Sequence, residues 1–245
     1  MAPHARLEQR IPAFLLLSAA LGALVLPAAA CFAQRGSEPD RPDRGNPVNS
    51  IRAGAVSIQL LTFGSLNSTI FQTSGLYVKA HFSDRGALRL GASFAVDDYS
   101  GSIRSQFASV RSDFSVVTLA AEVLEFLDAS GSVTTFVGVG PYWERGSGSG
   151  KSSTNPGPGY ASIFRSESKS WELGGSASFG FEWFLKQKLS VIGRMGASLG
   201  IGKFHGSDLS QRTSPSGVEI FRMNFDEDTA TASSTAAALG LSAYF

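Results

Sequence analysis

From Ile51 to the C-terminus the chain repeats one pattern: short runs in which apolar and polar or small residues alternate with a period of two. Alternation at that period puts the two residue sets on opposite faces of a strand, so it rules out helices over these runs and demands a sheet with two unlike surfaces. Trp171–Leu185 carries Trp171, Leu173, Gly175, Ala177, Phe179, Phe181, Trp183 and Leu185 on one parity, and Glu172, Gly174, Ser176, Ser178, Gly180 and Glu182 on the other. Leu189–Lys203 and Ser132–Glu144 repeat it, and Ala53–Gly64, Gly75–Phe82, Ala87–Asp97, Ser115–Leu127 and Thr229–Phe245 bring the predicted strands to eight.

The connections alternate too. Ser83–Gly86, Asp128–Gly131 and Lys186–Lys188 read as tight turns, while Ser65–Ser74, Asp98–Phe114, Arg145–Ser170 and Phe204–Asp228 read as long loops. Short turns on one side and long loops on the other, with an even strand count, predict a closed antiparallel up-and-down transmembrane barrel. A water-soluble barrel would also alternate, but its polar face would be dense in charge. Here that face is mostly Gly, Ser and Thr, which suits a crowded lumen.

Charge and aromatic placement agree. Lys79, Arg89 and Arg194 share the polar parity with Glu122, Glu172 and Glu182, and His81 lies beside Lys79. Facing lipid, each mid-depth cation would cost about 2–4 kcal/mol, a sum on the order of 10–20 kcal/mol that rivals the whole stability of a typical protein at about 5–15 kcal/mol. These residues are therefore predicted to line the lumen and to pair there, since an unpaired buried charge is costly. Trp143, Trp171 and Trp183 fall on the apolar parity. Twelve residues at about 3.3 Å each, tilted by roughly 40°, separate Trp171 from Trp183 by about 30 Å, near the spacing of two aromatic girdles.

Residues 1–33 have the order of a secretory signal peptide: Arg6 and Arg10, an apolar stretch Ile11–Ala30, and small residues to Ala33. An uncleaved anchor helix is the alternative reading of the same stretch. Cleavage after Ala33 fits small residues at −3 and −1; cleavage before Cys31 with lipid on that cysteine is the other route. Gln34–Ser50 is polar, contains three prolines, and is expected to be a flexible periplasmic linker. Without residues 1–33 the chain has 19 basic and 19 acidic side chains, a balance that argues against nucleic acid as a partner. The single cysteine excludes a disulfide framework.

The pattern over residues 51–245 resembles the small outer-membrane barrels of the OmpA/OmpX type. Its sharpest element is the C-terminus, where Leu239, Leu241 and a final Phe245 share the apolar parity, similar to the terminal signal read by the barrel-assembly machinery, while Tyr244 has the opposite parity. The resemblance implies a monomer in the cell outer membrane, in contact with its lipid and lipopolysaccharide, with a charge network of Lys79, Arg89, Glu122, Glu172, Glu182 and Arg194 plugging the lumen.

Chemical motifs are weak. Gly148–Ser152 lacks the first glycine and the following helix of a phosphate loop. His205 with Ser207 and Asp208 is a sequence neighbourhood, not a triad geometry. Asp226–Asp228 lacks calcium-loop spacing. No catalytic residue, cofactor or metal site is expected. The leading expectation is a non-enzymatic barrel acting through its extracellular loops. A narrow porin-like channel and a lipid-modifying enzyme are the alternatives.

Overall fold

The computed structural model describes residues 49–63, 73–103, 108–128, 131–157, 159–234 and 237–245. The expected signal peptide, residues 1–33, and residues 34–48 of the expected linker lie outside these. The described chain forms β1 (Val56–Phe63), β2 (Thr73–His81), β3 (Gly86–Ile103), β4 (Ala108–Asp128), β5 (Val133–Gly157), β6 (Tyr160–Lys186), β7 (Leu189–Ser214), β8 (Gly217–Ser234) and β9 (Ala238–Tyr244). Every pairing is antiparallel, each strand from β1 to β7 pairing with the next. β8 pairs with the loop-end half of β7, β9 with its turn-end half, and β9 also pairs with β1. The circuit is a closed ring of eight strands, its last position divided between β8 and β9.

Closure follows from the alternation. Along β6 from Trp171 to Leu185 the apolar residues are exposed, while Ser178, Gly180, Glu182 and Phe184 between them are buried. The outer surface over this span carries Leu173, Val139, Phe179, Met195, Leu199 and Ile201, all exposed. Small inward residues let the strands curl tightly: a Cβ at Gly140 would collide with the Ala121 carbonyl oxygen, and one at Gly202 with that of Trp171.

Three of the expected long loops are corrected. Asp98–Phe114 is largely strand, with Asp98 paired to Asp113 and Ile103 to Ala108. Arg145–Ser170, including the Gly146–Gly159 stretch, is a hairpin paired from Arg145↔Trp171 to Gly157↔Tyr160. Phe204–Asp228 is likewise a hairpin that turns between Ser214 and Gly217, where Gly217 has φ 145°. The pairing set by the barrel strands propagates outward. These extensions escape the apolar pattern because neither of their faces has to meet lipid. Ser65–Ser74 falls mostly outside the described residues.

The end of the linker is also corrected. Asn49 and Ile51 are buried, and residues 49–55 form a strap across the turn end. Asn49 Nδ2 donates to the Gly131 carbonyl at 2.8 Å, Ser50 Oγ donates to the Gln187 carbonyl, and the Ala53 amide donates to Asp84 Oδ1 at 3.1 Å. One short segment thus touches the β4–β5, β6–β7 and β2–β3 turns.

Candidate functional site

Two layers of the lumen hold buried charge. Nearer the turn end, Lys79 from β2 meets Glu182 from β6 at 2.6 Å, both side chains 1% exposed. Lys79 also donates to the Tyr244 hydroxyl, which donates to the other Glu182 oxygen at 2.9 Å, and Ser190 Oγ donates to that oxygen as well. Register explains the convergence. Lys79 is opposite Ser57, Ser57 is opposite Tyr244, and Ser190 is opposite Ser242, all on inward positions of adjoining strands.

One layer further in, Glu122 from β4 is shared. Arg89 Nε donates to its Oε2 at 2.8 Å with a second bond from Nη2. Arg194 Nη2 donates to Oε1 at 2.8 Å and Nη1 to Oε2 at 3.2 Å, and Ser178 Oγ donates to Oε1 at 3.2 Å. Arg89 is directly opposite Glu122 in the β3–β4 register, whereas Arg194 reaches it across the lumen from β7. A carboxylate bonded by two guanidiniums is held firmly, because charge-assisted bonds are roughly twice as strong as neutral ones.

Aromatic rings close the turn end. Phe126, Phe136, Phe184 and Tyr244 are buried inward. His81 sits among them, its ring 5.1 Å from Phe126 and 6.1 Å from Tyr244, and neither ring nitrogen finds a hydrogen-bond partner among the described residues. Lys79 Nζ lies 4.9 Å from the Tyr244 ring centre and 5.2 Å from that of Phe126, so the cation is held by ring faces as well as by Glu182.

Five of the predicted lumen charges therefore meet in two clusters. Glu172 stands apart: it accepts from the Tyr142 hydroxyl and is paired across the strands with Glu144 near the loop end. His81 belongs to the aromatic layer. Sequence reasoning places Ser178 and Ser190 on the lumen parity but does not single out Tyr244 or the inward phenylalanines. Tyr244 carries a legible mark, its parity opposite to that of Phe245, and Phe184 shares the parity of Glu182.

The predicted girdle residues all lie on the outer surface. Trp171 and Trp183 are 44% and 48% exposed and Phe245 is 74% exposed, while Trp143 is half-buried beside Leu173. An apolar exterior edged by aromatic residues, around an interior of paired charges, is the surface of a barrel that sits in a bilayer.

Beyond the Trp171 level, β3 to β8 continue as a projecting sheet whose long hairpins end at residues 157–160 and 214–217. Its last strand, β8, pairs only with β7 among the described residues. Val218, Ile220, Phe221 and Met223 on that edge strand are exposed on both faces. On β7, His205 bonds Asp226 of β8, and alternation puts Asp208 on the face opposite to His205 and Ser207.

No family model and no curated protein matches the chain. Among solved structures it is similar to a major outer membrane protein from Thermus thermophilus, at 17% identity and a TM-score of 0.43, over 78% of this chain and 98% of that one. It is similar also to Ail, the attachment invasion locus protein of Yersinia pestis, at 10% identity and a TM-score of 0.33, over 78% of this chain and 95% of that one. The architecture reached from the residues is all-β: a closed ring of eight antiparallel strands with paired charge inside and an apolar band outside.

Proposed function

We propose that this chain is a non-enzymatic outer-membrane barrel that presents its projecting sheet for contact at the cell surface. The observation that carries the reading is the β8 edge. Sheet edges are usually covered or charged, because an open edge pairs with any extended segment that reaches it. Here Val218, Ile220, Phe221 and Met223 stand exposed along its tip-end half, with Glu219 and Arg222 as the charges between them. Such an edge suits addition of a partner strand, with backbone bonds supplying affinity and apolar side chains on both faces supplying selectivity.

The interior supports a scaffold rather than a conduit. A solute path would require Glu122 to release both arginines, the Lys79–Glu182 pair to part, the aromatic layer to open and the strap to lift. The sequence neighbours His205, Ser207 and Asp208 are not brought together as a set: His205 bonds Asp226, and Asp208 faces the other way.

The test compares adhesion to matrix-coated surfaces by cells expressing the wild-type chain, cells expressing Ile220→Lys/Phe221→Lys, and cells without the chain. Wild-type cells should be retained above the other two, while both forms fractionate with the outer membrane. Equal retention of all three populations would discard the reading.

A further inference from the structure

We infer that the outward face of the β5–β6 hairpin is a binding site for the phosphorylated saccharide headgroup of the glycolipid surrounding the barrel. The inference rests on the outer-membrane reading above. It adds a place on the fold and the part of the glycolipid held there.

The site is assembled by register. On outward positions of β5 lie Arg145, Ser147, Ser149 and Lys151; beside them on β6 lie Trp171, Lys169, Glu167 and Arg165, each directly opposite in that order. Lys151 and Arg165 are thus cross-strand neighbours, and Arg111 of β4 is opposite Lys151 on its other side. Like charges placed directly opposite destabilise a sheet. Arg111 is relieved by Asp98 and Asp113, each 3.7 Å away. None of Arg145, Lys151, Arg165 and Lys169 forms an ion pair with a described residue, and all four are exposed. An arrangement that costs stability in the free protein and leaves four cations open is complemented by an anion.

Between these cations the surface is hollowed. The depression is lined by Asp113, Ser115, Ser147, Ser149, Glu167 and Lys169. It offers carboxylates that accept from sugar hydroxyls, and hydroxyl and ammonium groups that donate to ring and hydroxyl oxygens. Arg145 borders it toward the membrane, and Lys151 with Arg165 borders it on the far side. A simple inorganic anion would be repelled by Asp113 and Glu167. A sugar bearing phosphates at its periphery uses both the acidic hollow and the basic rim.

Position selects the source. Glu167 and Arg165 are four and six residues from the girdle residue Trp171, about 10–15 Å along the membrane normal for tilted strands at about 3.3 Å per residue. The face looks sideways, parallel to the membrane. At that height and in that direction lie the saccharides of neighbouring outer-leaflet lipids, whereas a glycan arriving from outside meets the hairpin tips first.

The test uses the full barrel folded in detergent, immobilised, with three probes: lipopolysaccharide carrying a phosphorylated core, lipid A without core, and heparin as a soluble polyanion. Wild-type protein should retain the core-bearing glycolipid in preference to the other two. Lys151→Gln/Arg165→Gln/Lys169→Gln should lower that retention by about tenfold, which is about 1.4 kcal/mol. A control variant, Lys186→Gln/Lys188→Gln, removes charge from the turn end and should retain as wild type does. Equal retention by wild type and the triple variant overturns the site, as does lipid A binding as well as the core-bearing form. Heparin retained as strongly as the glycolipid, with both lost in the triple variant, overturns the membrane source. A heat-dependent gel shift on the same samples reports separately whether the barrel itself is folded.

Discussion

At the residue scale, the lumen is organised by a carboxylate with more partners than it could have on one strand pair. Removing the charge of Glu122 leaves Arg89, 1% exposed, and Arg194 without their shared anion. Breaking a buried ion pair at one partner typically costs about 3–5 kcal/mol. Glu122→Gln should therefore show the largest loss among lumen variants, read from the urea midpoint of unfolding in detergent. Tyr244→Phe removes one hydroxyl that accepts from Lys79 and donates to Glu182, and should cost about 1–3 kcal/mol. Glu172→Gln, which alters the acceptor of the Tyr142 hydroxyl near the loop end, should cost the least of the three, on the order of 1 kcal/mol. An equal response of all three would show that the two buried clusters do not dominate barrel stability.

At the scale of elements, what the sequence discloses depends on what each strand face touches. Between the girdles one face meets lipid and the other the lumen, so the strands are written in period two, and the Trp171–Leu185 pattern marks the membrane-spanning portion of β6 to within a residue or two of its turn end. Beyond Trp171 neither face is forced to be apolar. Ser-Gly alternation such as Gly146–Ser153 has weak strand preference, yet it is paired throughout because the barrel delivers β5 and β6 already in register. The lumen charges are legible because polarity on a strand whose other face meets lipid has one place to go. Their partners are not, because Glu122 and Arg194 are joined by curvature around the ring. Hydrogen exchange tests the hairpin directly: amides of Gly146–Thr154 should be protected in step with the barrel strands, and exchange at loop-like rates would refute the extension. Gly140→Ala should destabilise by about 1–3 kcal/mol, since its methyl would collide with the Ala121 carbonyl of the next strand, which cannot turn aside.

At the scale of the whole molecule, closure predicts two behaviours. The unboiled protein should migrate faster than the boiled one in a gel run on outer-membrane extracts, and a single mobility in both would refute a closed barrel. Reconstituted into planar bilayers, the wild type should stay at background conductance, because charge clusters, aromatic rings and strap succeed one another along a single axis. Steady ion current through the unmodified protein would refute the sealed interior. The strap itself sets an order of events. Its seats are supplied by Asp84, Gly131 and Gln187, residues spread over more than a hundred positions, and none of these seats has its final spacing until the circle of strands has shut. The first stretch of the domain to be made is therefore the last to settle, and its docking reports that assembly is finished. A nascent chain whose hem is still loose remains open at its inward mouth, distinguishable by its protease sensitivity near Asn49 from one that has been sewn shut.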